Sequence, residues 1–461
     1  MEKQFKFADF HCHPSLKTYG HSFEDTPYGR RRRNIWFQQK NSYFRKLVCR
    51  KLSIAKFSQA DFSSLKEGNV KLVTASLYPF EKGFFINLLG KGSLSAFLAN
   101  AIIGISYYRI RNIQQHLNYF EDLEKEYNFL LEAIKENNEI ELYFPQKKDD
   151  FKLLENDNKT AIVFSIEGAH VFNSGLEKYG RKTNEKEVID NIYKVKNWEI
   201  APMTITFAHN FINDFCGHAK SLDPLGKLVN QNEMLNHGFT NLGFKALNAL
   251  LDNKNGKVIY PDLKHMSLSS RKEYYQYLDE YFKEEKIPVL ISHGAVTGTS
   301  WTTIETLDSE SLFSESDINF YDEELVKISK SNGLFAIQMD SRRLAKKNII
   351  KKLHSKKNIA FASAEIIWNH IKHIAIVLDD NDLNSWNIAC IGSDFDGSIE
   401  PLPGIYSATD FPQLARNLMD LSALFLSNYN FKNDFNKDIT PETIVEQFCY
   451  ENLYCFYHNR I

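Results

Sequence analysis

The sequence predicts an α/β fold, a (β/α)8 TIM-like barrel, and three observations carry that expectation. Eight short apolar, β-branched or aromatic runs recur along the chain, separated by longer amphipathic stretches. The runs are apolar nearly throughout rather than alternating, as strands covered on both faces of a parallel sheet are. Repeated strand–helix alternation points to a barrel, and 461 residues suit one that carries insertions.

In order, the runs are FKFADF (5–10), VKLVTASLY (70–78), AIVFSIE (161–167) and APMTITFAH (201–209). KVIYPDLKH (257–265), IPVLISH (287–293), GLFAIQM (333–339) and IACIGSDFD (388–396) complete the set. The interval between the second and third strands, about 79–160, is helical by pattern and is expected to decorate the barrel as an insertion. Its apolar stretch 94–110 reads as a buried helix. Asn100 and several serines interrupt it, and it falls short of the ~20 residues that span a bilayer. Segment 241–253 carries Leu242, Phe244, Leu247, Leu250 and Leu251, and 269–285 is charged on one side and aromatic on the other. Both have the pattern of helices packed on a sheet. The closing helix has Thr440 as its N-cap and Pro441 at its first position. No repeat or Pro/Gly-rich linker divides the chain, so residues 1–461 are expected to form one domain.

Composition narrows the function. A formal net charge of −2 offers no strong positive field, which argues against nucleic acid as a partner. The one basic cluster, Arg30 to Arg33, is either a solvated loop or a patch that draws an anionic substrate. Six cysteines without any CxxC spacing read as reduced, mostly buried thiols. Nothing before His11 resembles a signal peptide, so the expected compartment is the cytoplasm, with no membrane partner.

The ends of the runs carry the chemistry. His11 and His13 end the first, Glu167 the third, His209 the fourth, His265 the fifth and His293 the sixth, and the eighth delivers Asp394. Residues i and i+2 of a strand share a face, so His11 and His13 leave the backbone together. In a barrel all strand C-termini open on one side, where active sites are built. Imidazoles with a few carboxylates suit Zn²⁺ and similar divalent ions. Other residues read as structural first. His170 follows Glu167 closely, His370 and His373 are three apart on a helix, and His218 and Asp214 lie in a loop after His209. Asp396 would coordinate beside Asp394 or orient it, and Tyr78 and Trp301 are core residues or pocket walls.

FADFHCH, FSIEGAH, TITFAHN, YPDLKHMS, PVLISHGA and IGSDFDG, in this order from residue 7 to 397, resemble the renal (membrane) dipeptidase family of the amidohydrolase superfamily. The closing ITPETIVEQFCYENLYCFY is similar to that family's last helix. The resemblance implies a hydrolase that cleaves small dipeptides with two divalent metal ions, zinc first among them. His11 and His13 would hold one ion, His265 and His293 the other, and Glu167 would bridge them. His209 would bind the substrate and steady charge on its carbonyl oxygen, and Asp394 would shuttle the proton. Two departures stand out. The family has His-x-Asp where this chain has His-x-His. It also has an arginine for the substrate carboxylate after the sixth strand, whereas residues 294–325 contain neither Lys nor Arg. Arg342 and Arg343, or the Arg30–Arg33 loop, would have to substitute. Otherwise the substrate is a non-peptide amide, a lactam or an ester. A non-catalytic binding descendant of the barrel is the remaining reading, and a homodimer through the 94–110 segment is compatible with each.

Overall fold

Each of the eight expected runs supplies one parallel strand of a ring in the computed structural model, which describes residues 4–52, 54–88, 90–136, 141–156, 158–222, 229–302 and 312–461. The strands are β1 (Phe7–Cys12), β2 (Val70–Leu77), β3 (Glu141–Tyr143), β4 (Lys159–Glu167) and β5 (Thr204–Thr206), followed by β6 (Tyr260–Asp262), β7 (Leu290–Gly294), β8 (Leu334–Ile337) and β9 (Ala389–Ile391). Their order is β1-β2-β4-β5-β6-β7-β8-β9, with β3 added beside β4. The last strand rejoins the first just beyond its regular pairing. Asp394 N–H donates to the His11 carbonyl and His13 N–H to the Phe395 carbonyl, each at 2.9 Å. Below this seam the Asp9 carboxylate accepts from the Ser393 N–H (2.9 Å) and hydroxyl (2.5 Å).

Two apolar layers hold the ring. The larger lies between the sheet and the outer helices, where Leu247 and Leu250 of helix Asn241–Leu251 and Tyr274 of helix Leu268–Tyr281 are buried. Thr240 and Ser267 cap these helices by accepting from Gly243 N–H and Ser270 N–H, both at 3.0 Å. The smaller layer fills the N-terminal end of the barrel. Phe10, Leu72, Ala161, Leu290 and Leu334 pack there against Phe456 and Tyr457 of the C-terminal helix, and the Tyr457 hydroxyl meets Thr74 Oγ1 at 2.6 Å. Thr440 and Pro441 begin that terminal region as expected, with the Thr440 hydroxyl accepting from Thr443 N–H at 3.1 Å. One end of the barrel is therefore packed solid, and only the other is left for a site.

Three expectations need correction. The fourth and fifth strands stop three residues early and the eighth five, which leaves His209, His265 and Asp394 on loops. His265 and Asp394 take left-handed backbone, φ +67° and +57°, which no ladder accommodates. The insertion is not all helical, because Glu141–Tyr143 pairs with β4. The stretch 94–110 is not one buried helix. Gly104, at φ +79°, splits it into Ser93–Ile103 and Tyr107–Gln115. Ile105 and Ile110 enter the core, whereas Leu94, Phe97 and Leu98 are 73%, 63% and 41% exposed. Among the described residues no helix is long and apolar enough to cross a membrane.

Candidate active site

At the open end of the barrel the side chains converge on one carboxylate. Glu167 closes β4, held level with Thr206 of β5 by the sheet register. His13 Nε2 lies 2.8 Å from its Oε2. Its Oε1 is 3.2 Å from His209 Nε2, 3.6 Å from both His11 Nε2 and His293 Nε2, and 3.7 Å from His265 Nε2. His11 Nε2 and His13 Nε2 face each other at 3.2 Å, and the His11 and His293 rings stack at 4.0 Å. All six residues are buried. Burial would raise the Glu167 carboxyl, but His209, His13 and His11 hold it well below its usual range.

Strand residues behind the site aim these rings. His13 Nδ1 faces the Ser76 carbonyl at 3.2 Å, so that nitrogen carries a proton; burial lowers this ring, but the Glu167 and Asp394 charges outweigh it and raise it. His293 Nδ1 meets Ser292 Oγ at 2.8 Å, and the Ser292 hydroxyl donates to Asp262, which also accepts from the Thr206 hydroxyl at 2.9 Å. Asp9 and Asp262 thus stand beneath the histidines as inward carboxylates, and burial lifts Asp9 to about 6.

His209 differs from the other rings. Its Nδ1 lies 2.6 Å from Glu81 Oε2. Glu81 also accepts from the Tyr78 hydroxyl (2.7 Å) and from the N–H groups of Asn210 and Phe211 (3.1 Å each). Burial works against both charges, yet Glu81 and Glu167 raise His209 to about 10, and His209 with His170 lowers Glu81 to about 2. His209 is a buried imidazolium. Burial instead keeps His11, His265 and His293 below the usual histidine range, hence neutral.

Asp394 sits 3.6 Å from His13 Nε2. Burial and the Glu167 charge push its carboxyl well above the usual range. Asp396 turns away from it. Its oxygens take Lys17 Nζ (2.6 Å) and the N–H groups of Gln59 (3.1 Å) and Ala60 (2.8 Å), which pins the loop rather than the ligand set.

A cavity of about 90 Å³ opens over Glu167, His209, His265, His293 and Asp394. Tyr78, Phe80, Phe84 and Ile103 form an apolar wall, and Lys264, Arg342, Arg343 and Asp340 a charged one. Arg342 is clamped by Asp340, with Nε at 2.9 and 3.0 Å and Nη2 at 2.7 Å. Arg343 donates to Ser316 Oγ at 3.2 Å and to the Ser221 carbonyl. A larger depression of about 600 Å³ on the outer helices contains a single histidine, His370. Both ring nitrogens of His370 are engaged, by Val296 N–H (3.2 Å) and the Leu344 carbonyl (3.0 Å). The smaller cavity is the one with chemistry.

The remaining candidates lie outside that cavity. His170 Nε2 meets the Pro79 carbonyl at 2.7 Å, His218 bonds the carbonyls of Ala219 and Glu233, and His373 pairs with Asp322 at 2.7 Å. Asp214 accepts from Gly175 N–H at 2.7 Å, and Trp301 packs near Tyr275. None of Arg30 to Arg33 lines the cavity. Arg30 pairs with Asp25 at 3.5 Å, and Arg32 lies over Tyr28. Sequence reasoning missed Glu81 and Lys264. Glu81 sits four residues past β2, the one early strand without an assigned group. Lys264 lies in the turn between Asp262 and His265, where no strand periodicity marks it.

The donor set fits divalent cations. The neutral rings of His11, His265 and His293 bring Nε2 to within 3.6 to 3.7 Å of one carboxylate oxygen, an arrangement that a cation between them would satisfy. Among the described residues, His293 Nε2 and His265 Nδ1 are buried with no hydrogen-bond partner at all. Three overlapping sets could each hold an ion: His11–His13–Asp394, His11–Glu167–His293 and Glu167–His209–His265.

Comparison with known proteins bears on the fold and the family. No curated protein matches the chain. Among solved structures it is similar to the dipeptidase AC, a metallopeptidase of family M19, with 15% identity, TM-score 0.58 and 99% of each chain covered. A Rhodobacter sphaeroides metallopeptidase liganded with a phosphinate mimic of the dipeptide L-Ala-D-Ala gives 15% identity and TM-score 0.57, again with 99% of each chain covered. An amidohydrolase from Pseudomonas aeruginosa gives 16% and 0.50, with 86% of this chain and 90% of that one. These likenesses establish the barrel fold. The sequence model of the membrane dipeptidase family, peptidase family M19, matches residues 22–423, a span that starts after the unusual His11–His13 pair. The chain belongs to the membrane dipeptidase family, peptidase family M19.

Proposed function

We propose that the protein is a metal-dependent dipeptidase that cleaves the peptide bond of small dipeptides and uses two divalent ions, zinc first among the candidates. The observation that carries this reading is the convergence of His11, His13, His209, His265 and His293 on Glu167, with Asp394 beside them. His11 and His13 would hold one ion, His265 and His293 the other, and Glu167 both. When bound, such ions supply Lewis acidity and make water acidic enough to ionise near neutral pH.

The chain's own groups do the rest. Asp394, as the carboxylate, takes a proton from the attacking water; burial favours the protonated form it then holds, and it passes that proton to the leaving amine. His209, kept charged by Glu81, donates from Nε2 to the substrate carbonyl oxygen as negative charge grows there. Tyr78, Phe80 and Phe84 keep bulk water from the cavity. The dipeptide is favoured because the Rhodobacter sphaeroides relative carries a dipeptide mimic. The free cysteines, five of six buried, suit a reducing compartment, and we take the cytoplasm as the expected address.

The test is amine release from free dipeptides by zinc-loaded protein. Hydrolysis that chelator abolishes and zinc restores supports the reading. Hydrolysis of lactams or esters alone would replace it with a broader amidohydrolase activity.

A further inference from the structure

Resting on the dipeptidase reading, we propose that Lys264 is the specificity-determining cation that receives the substrate's free carboxylate. Lys264 is 2% exposed, and among the described residues its Nζ has no hydrogen-bond partner. Burial, with the Arg343 charge, lowers Lys264 to about 7 against the pull of Asp394, Asp340 and Asp262, and a carboxylate brought to this partnerless donor would satisfy it and hold it charged. Lys264 lines the same cavity as Glu167, His265, His293 and Asp394. It lies in the turn after β6, where its N–H donates to Asp262 Oδ1 at 3.1 Å, and the Asp262 carboxylate reaches Thr206 and Ser292 inside the barrel. Lys264 therefore enters the cavity from the loop that also carries His265.

The competing cations are already committed. Asp340 fills the Nε and Nη2 side of the Arg342 fork, and Arg343 is tied to Ser316 and the Ser221 carbonyl. None of Arg30 to Arg33 lines this cavity, and residues 294–325 hold no Lys or Arg. A lysine in this place grips as a point charge rather than a planar fork. Recognition should then depend on the carboxylate's charge more than on its orientation.

The experiment compares L-Ala-L-Ala with L-Ala-L-alaninamide in the zinc-loaded wild type, Lys264→Met, Lys264→Gln and Lys264→Arg, with bound metal measured in each. The wild type should prefer the free dipeptide in kcat/KM. That preference should fall about 10- to 100-fold in the Met and Gln variants through KM, and recover in part in the Arg variant. Equal losses on both substrates, or an unchanged preference, would overturn the proposal. Binding by calorimetry separates it from the dipeptidase reading. A wild type that hydrolyses neither substrate, yet binds the free dipeptide more tightly in a Lys264-dependent way, sinks the dipeptidase reading and supports Lys264. A wild type that binds the free dipeptide no better than the amide overturns Lys264, even if it hydrolyses both.

Discussion

Glu167 is the residue on which the site turns, because five imidazoles and the Asp394 carboxyl are arranged around it. Replacing Asp394 with Asn should cut kcat by about 10²- to 10⁴-fold, with metal content measured on the same sample. Glu81→Gln removes the charge that keeps His209 protonated, so kcat should fall about 10²-fold with little change in KM. A third residue tests the electrostatics away from the ligands. Glu126 is buried, accepting from Ser15 Oγ (2.8 Å) and Tyr78 N–H (2.9 Å), and burial raises its carboxyl from 4.5 to about 7. The folded state then holds this proton more tightly than the unfolded chain. The associated stability is complete below about pH 4.5 and is lost as the pH rises towards about 7. Glu126→Gln should escape that loss, so its advantage over wild type in denaturant midpoint should grow across this window, reaching about 1–3 kcal/mol. The strand-end histidines, Glu167 and Asp394 were legible because ligand-type side chains rarely fall at successive strand ends unless they share a site. Glu81 and Lys264 were not, since a single charged residue at no fixed spacing looks like any solvated one.

At the scale of elements, apolar runs revealed that strands exist but not where they end. A ladder stops where its neighbour stops, and His265 and Asp394 bend away through left-handed backbone that no periodicity encodes. The 94–110 stretch misled for a related reason. Its apolarity continues through Gly104, but the chain turns there and leaves Leu94 and Phe97 outside. Close approach of neighbouring strands gives a testable constraint. A Cβ on Gly392, just past β9, would lie well inside contact distance of the Ser292 carbonyl oxygen. Gly392→Ala should therefore destabilise the barrel by about 3 kcal/mol, read as a lowered denaturant midpoint, and should weaken metal retention because Ser292 supports His293.

For the molecule as a whole, the barrel brings ligands dispersed from His11 to His293 together around Glu167. The C-terminal helix plugs one end and the strand ends open the other. Whether this convergence works as a two-ion hydrolytic site is decided by stripping the protein of metal and titrating zinc while following hydrolysis of L-Ala-L-Ala. Activity should be absent at the start, rise with added zinc and level off at two equivalents per chain. Full activity in the stripped protein, or no dependence on zinc equivalents, would contradict a two-ion site.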